Sequence, residues 1–196
     1  MLVKERFCKF LKKKYCCIIF IISFFTSNSH ADIKNQIINN LNKFNSVEFD
    51  FTQSTNDKIE LGNCILLFTG KIKCLYNNGN KQFILNGEKL AIIQKRYEKI
   101  FYYPASKSPL LNILNKDQLI KIIRKGEINN EDKEKIKLVY REKDNRDIVV
   151  FFNKKNLNLM GWETIDQFNS KVIFLINIKS INNFYSDEKF EINTSN

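Results

Sequence analysis

Apolar residues recur at every second position through most of this 196-residue chain. Val47, Phe49 and Phe51 alternate with Glu48, Asp50 and Thr52. Leu90 and Ile92, Ile100 and Tyr102, Ile136, Leu138 and Tyr140, and Val172, Phe174, Ile176 and Ile178 keep the same period. Side chains two apart share one face of a strand, so each segment has one apolar face to bury. The segments are short and divided by turn pairs such as Thr69-Gly70, Asn86-Gly87 and Glu98-Lys99. The spacing predicts strands over 46–54, 59–68, 71–77, 81–86, 89–95, 99–103, 136–141, 146–152, 157–164, 171–180 and 188–193. There is no βαβ rhythm. The expected class is mainly β with some α, an antiparallel sheet of about ten or eleven strands that curls. The length suits one domain with a substantial core.

Helical spacing interrupts the strands twice. Ile33, Ile37, Ile38, Leu41 and Phe44 predict an amphipathic helix over 33–44, with Asp32 as its N-cap. Pro104 and Pro109 bracket a loop, after which Leu110, Leu111, Ile113 and Leu114, then Leu119, Ile120, Ile122 and Ile123, return to helical spacing. Residues 126–135 (GEINNEDKEK) read as a charged, solvated loop.

The first thirty-one residues have a different logic. Lys4, Arg6, Lys9, Lys12, Lys13 and Lys14 precede the apolar stretch Cys16 to Phe25, and Ser29-His30-Ala31 supplies small residues at a cleavage site. This is the pattern of a secretory signal peptide, residues 1–31. The apolar stretch is too short to span a bilayer alone, and no run in the chain is long enough for a polytopic membrane protein. Removal of the leader leaves 32–196 with 26 basic and 20 acidic residues, net +6 against +11 for the whole chain. Of the 32 cationic residues 27 are Lys, whereas Arg is the residue that grips phosphates bidentately. No nucleic-acid partner is therefore expected. The single His is lost with the leader, and only Cys64 and Cys74 remain of five cysteines. An even pair in an exported chain reads as a disulfide.

The pair fits the hairpin that carries it. With the turn centred on Thr69, Cys64 lies opposite Cys74 and Leu66 opposite Ile72. One face then holds Cys64, Leu66, Phe68, Ile72, Cys74 and Tyr76 and is almost wholly apolar. Directly opposed cysteines at a non-hydrogen-bonded pair suit the bond; two buried thiols are the alternative. A zinc site has too few ligands here.

The ordered features resemble the periplasmic outer-membrane lipoprotein carrier family (LolA-like). The resemblance runs over roughly 33–180. It rests on the leader, the helix Ile33–Phe44, Val47-Glu-Phe49-Asp-Phe51-Thr-Gln53, Gly62-x-x-x-Leu66 before a hairpin, Leu85-Asn86-Gly87-Glu-Lys89-Leu90, Tyr102-Tyr103-Pro104, and Ser108-Pro109-Leu110-Leu111-Asn-Ile113-Leu114. It implies an incomplete antiparallel β-barrel whose apolar concave face is covered by a helical lid. It further implies a periplasmic, monomeric carrier without cofactor. Such a protein takes acylated lipoproteins from an inner-membrane ABC exporter toward an outer-membrane acceptor. On that reading Phe49, Phe51, Leu66, Phe68, Ile72, Tyr76, Leu90, Ile92 and Tyr102 line a lipid cavity, and Leu110, Leu111, Ile113 and Leu114 form the lid. The family's Arg-Pro pair at the hairpin turn is replaced by Phe68-Thr69. The lid latch is therefore expected to be missing or to become an apolar contact.

An enzyme is not expected. The exported chain has no His, no Gly-x-Ser-x-Gly elbow and no glycine-rich phosphate loop. The rival from another class is a lipid- or lipoprotein-binding sensor domain of the same architecture.

Overall fold

The structure, a computed structural model, describes residues 29–104, 113–129, 132–142, 146–166 and 169–192. The leader's basic and apolar stretches and the lid residues Leu110 and Leu111 lie outside these. Two compact units divide the chain between Asn35 and Gln36. Of the first, the described part is Ser29–Asn35, the opening turns of helix α1 (Ser29–Leu41).

α1 starts and ends earlier than the spacing predicts. Asp32 stands inside its first turn, where a carboxylate complements the exposed N–H groups, and does not cap it. The Asn-rich sequence Asn39-Asn40-Leu41-Asn42 ends it, because Asn side chains compete for backbone partners. Within the second unit Ile37, Ile38, Leu41 and the following Phe44 are buried, so the apolar stripe is used as its spacing requires.

Strands β1 (Ser46–Thr55), β2 (Lys58–Leu67), β3 (Lys71–Tyr76), β4 (Lys81–Asn86), β5 (Lys89–Gln94) and β6 (Lys99–Pro104) form one meander. β7 (Glu127–Asn129), β8 (Lys135–Arg141), β9 (Asp147–Asn153), β10 (Leu159–Ile165) and β11 (Lys171–Ile181) form a second. The two join where β1 pairs with β11, giving an 11-stranded sheet in the order β6-β5-β4-β3-β2-β1-β11-β10-β9-β8-β7. Every pairing is antiparallel. β6 and β7 are the two edges and do not pair, so the barrel is open. The chain between them must pass from one edge to the other. It carries helix α2 (Lys116–Lys125), which buries Leu119, Ile122 and Ile123. Asn115 caps α2 by accepting from the Gln118 N–H at 3.1 Å.

The alternation fixes which face is buried. Phe49 pairs with Cys64, Cys64 with Cys74, Cys74 with Phe83 and Phe83 with Ile92, a continuous inner row. Across the second meander Phe174, Trp162, Val150 and Leu138 form a second inner row, which meets β1 at Gln53. Glu48, Asp50 and Thr52 stand on the outer face. Register shifts at Glu48/Phe49 and Leu159/Gly161 are bulges, which strengthen the coil that curls a sheet. Gly161 has φ 145°, a conformation glycine alone adopts readily, and a Cβ there would lie 2.1 Å from the Phe174 carbonyl oxygen.

Two expectations are corrected. Residues 127–129, read as solvated loop, form the short edge strand β7; three residues carry too little periodicity to be read. Residues 188–193, read as a strand, instead begin with a 3-10 turn over Asp187–Phe190. It is pinned against the outer face of β3 and β4 by Lys71–Asp187 (2.7 Å) and by Asn86, whose amide donates to the Phe190 carbonyl at 3.4 Å. Phe190 is fully buried there, which explains the apolar residue that suggested a strand.

Cys64 and Cys74 are bonded, with Cα atoms 4.1 Å apart, in the register the hairpin spacing requires. Both face inward and are buried. Replacing both by Ala is expected to lower the unfolding free energy by about 2–3 kcal/mol while the far-UV spectrum is retained. Urea titration of the variant measures this.

Candidate functional site

The inner face is not filled completely. A cavity of about 470 Å³ lies between the sheet and Leu114. Ile72, Cys74, Phe83 and Ile92 form its wall on the first meander, and Trp162, Val172 and Phe174 its wall on the second. Leu114, just ahead of α2, also lines it.

An aromatic row holds one wall in place. Trp162 stacks on Phe174 (centroids 4.5 Å apart), Phe174 on Phe51 (4.8 Å), and Phe51 meets Tyr76 edge-on (5.0 Å). Such contacts add about 0.5–1.5 kcal/mol each beyond burial. The Phe51–Tyr76 contact reaches from β1 over β2 to β3. It exists because Gly62 stands between the two in the register: a Cβ there would lie 2.7 Å from the Phe51 ring and 2.2 Å from the Leu75 carbonyl oxygen.

One end of the cavity is polar. Gln53, Thr55, Lys58, Glu60, Lys81, Thr164 and Asp166 line it, at strand ends of β1, β2, β4 and β10. Both carboxylate oxygens of Glu60 accept from Lys81 at 2.8 Å, and Lys58 lies 3.3 Å away. Burial pushes the Glu60 carboxyl upward, but the two ammonium groups outweigh it and hold it below its usual range. The Lys81 ammonium also sits 3.8 Å from the centre of the Tyr76 ring. Burial, helped by the Glu60 charge, raises the Tyr76 phenol well above its usual range. It stays neutral and donates to Gln53 Oε1 at 3.1 Å. Lys58, Lys81 and Glu60 are thus committed to one another. Among the described residues no group of three or more His, Cys, Asp or Glu could hold a metal. The arrangement offers shape and apolar surface.

The sequence-derived site residues divide. Ile72, Tyr76 and Ile92 line the cavity. Phe49, Phe51, Leu66 and Leu90 occupy the same inner face but are buried at 1–5% exposure and pack in the core. Tyr102 pairs with Ala91 on the outer face and is 56% exposed; Phe101 and Tyr103 are its inward neighbours. Three successive aromatics leave the phase of β6 ambiguous, and the pairing of Ile92 with Phe101 settles it. Ile113 and Leu114 are both buried, and Leu114 reaches the cavity.

Sequence reasoning missed Phe83, Trp162, Val172 and Phe174 as lining. Val172 and Phe174 show the right period, but only the β1–β11 pairing brings them beside Gln53 and Thr55. At Trp162 the bulge at Gly161 hides the alternation.

Phe68 sits at the hairpin turn, where the Lys116 ammonium lies 4.9 Å from its ring centre. Lys116 also donates to the Phe44 carbonyl. Burial lowers the Lys116 ammonium, with Asp117 opposing. Phe68 thus meets a cation of α2 where an absent or apolar contact was expected.

No protein-family model matches the chain, and no curated protein matches it. Solved structures do. A conserved protein from Thermus thermophilus aligns at 10% identity over 80% of this chain and 91% of that one, with a TM-score of 0.51. A DUF1329 family protein from Desulfovibrio piger aligns at 9% identity over 84% and 97%, TM-score 0.49. A LolA superfamily protein from Nitrosomonas europaea aligns at 6% identity over 80% and 96%, TM-score 0.42. At these identities the likeness is one of fold.

Glu60 has a lowered pKa in the folded state, so its stabilising contribution is present above the unfolded carboxyl range. That contribution is lost as pH falls through the folded value. Glu60→Gln is expected to cost about 1–2 kcal/mol at pH 7 and little once the pH has fallen below the folded value. Thermal unfolding across pH measures the flattening.

Proposed function

We propose that this protein is a periplasmic carrier that shields the acyl chain of a lipidated protein in the cavity beneath Leu114. The observation that supports it most directly is an apolar cavity of about 470 Å³ with its charged groups gathered at one end, where Glu60 pairs with Lys58 and Lys81. A cavity of this size and apolar lining admits an alkyl chain. Each methylene withdrawn from water contributes about 0.8 kcal/mol, or on the order of 10 kcal/mol for the chain. That is the scale of the cost of leaving a membrane for water, which burial in such a cavity offsets. No reactive group is required for carriage.

On this reading cargo is received from an inner-membrane ABC exporter and delivered toward the outer membrane. The Lys116–Phe68 contact then ties the cavity's covering segment to the hairpin. Its strength, about 1–2 kcal/mol for a partly desolvated cation–π pair, is small enough to be broken at delivery.

Binding of a fluorescent acyl probe tests the cavity. Leu114→Asp, and Ile92→Glu at the half-buried opposite wall, are expected to weaken the probe by about tenfold or more each, with circular dichroism unchanged. Unchanged affinity in both would contradict the assignment. Carriage is tested by incubating the protein with inner-membrane vesicles that hold the exporter, labelled lipoprotein and ATP. A soluble complex is expected, and its absence beside a working carrier would contradict the reading.

A further inference from the structure

The β5–β6 hairpin carries a feature that acyl binding leaves unused. Its 3-10 turn, Lys95–Tyr97, has no buried residue, and Lys95, Arg96, Tyr97, Glu98 and Lys99 are all exposed. Lys95, Arg96 and Lys99 make no ion pair among the described residues, in contrast to Lys58 and Lys81. Against these three cations stands one acid, Glu98. Tyr97 is 62% exposed, with the Arg96 guanidinium 5.9 Å from its ring centre. The following edge strand adds Phe101, Tyr102 and Tyr103 at 39%, 56% and 44% exposure.

The hairpin is attached to the polar end of the cavity. Lys95 N donates to the Asn80 carbonyl at 2.8 Å, Gln94 pairs with the lining residue Lys81, and Phe101 pairs with the lining residue Ile92. Aromatic rings with polar tips favour the headgroup level of a bilayer, and unpaired Lys and Arg are drawn to anionic lipid. We infer that the β5–β6 hairpin docks on the surface of an anionic bilayer and brings the polar end of the cavity to the membrane. An extended peptide added to the β6 edge is the rival occupant. It would use edge backbone groups that pair with no other described strand but would leave the cations and Tyr97 at the hairpin tip without a purpose.

Co-sedimentation of the exported chain with vesicles tests the inference. Vesicles of phosphatidylcholine with 30% phosphatidylglycerol are compared with phosphatidylcholine alone, at about 0.1 and 0.5 M salt. Stronger binding to the anionic vesicles, weakened by salt, is expected. Arg96→Glu with Lys99→Glu should lower the partition coefficient by roughly thirtyfold. The matched change on α2, Lys121→Glu with Lys125→Glu, should lower it only severalfold, and Tyr97→Ala should lower it with no change of charge. Equal losses in the two double variants would assign binding to diffuse charge and overturn the inference. So would equal binding to the two kinds of vesicle. Hydrogen-exchange protection of β6 by a strand-forming peptide, without vesicle binding, would assign the edge to peptide and overturn it as well. The inference adds to the carrier reading, and the two fail separately. Acyl-probe affinity should be unchanged in the Arg96/Lys99 variant, and Leu114→Asp should leave vesicle binding intact.

Discussion

One long sheet with one apolar face governs this protein. Eleven antiparallel strands present one inner face, on which Ile92, Phe83, the disulfide and Phe49 form one row and Phe174, Trp162, Val150 and Leu138 a second, offset along β1 to Gln53. Each square ångström of that surface left in water costs about 25 cal/mol. The sheet must therefore curl and be covered. Its edges never meet, so the coil alone does not bury the face. α2, with Ile113 and Leu114 just ahead of it, takes that part, because the connection from β6 to β7 has to cross between opposite edges. The cover fits closely over β8, where a Cβ on Gly126 would lie 2.2 Å from the Leu138 side chain. It leaves space over β3–β5, where Leu114 faces the cavity.

The cavity keeps its form because its walls are braced independently of its cover. The Cys64–Cys74 bond ties β2 to β3 inside the wall. The aromatic row ties β10, β11, β1 and β3 together, through the gap that Gly62 provides. The Glu60–Lys81–Tyr76–Gln53 chain of contacts braces the polar end and gives Glu60 and Lys81 each a partner. A space lined this way can stay open at small cost, whereas an unbraced apolar gap would collapse.

Much of this was legible in the sequence where one strand pair supplies its own ruler. The β2–β3 register and the disulfide follow from Cys64, Cys74 and the turn at Thr69-Gly70, because local turn geometry sets the pairing. The inner face of β1 follows from Val47, Phe49 and Phe51. What escaped depends on distant partners. Trp162 entered the wall only through a bulge and the meeting of the chain's two ends at β1 and β11. Tyr102 shares its strand with two other aromatics, so its face is set by β5. The Lys116–Phe68 contact joins residues 48 positions apart and has no signature in either neighbourhood. Phe190 is apolar for packing on the outer face, which no strand period announces.

Trp162 is the chain's single tryptophan, buried at 1% exposure and in the cavity wall, so it reports on the site alone. The most direct measurement is quenching of its fluorescence by an acyl chain brominated at mid-length, compared with the same chain unbrominated. The account predicts saturable quenching by the brominated chain that Leu114→Asp reduces in step with affinity. Binding of both chains without any bromine-dependent quenching would place the ligand elsewhere and contradict it.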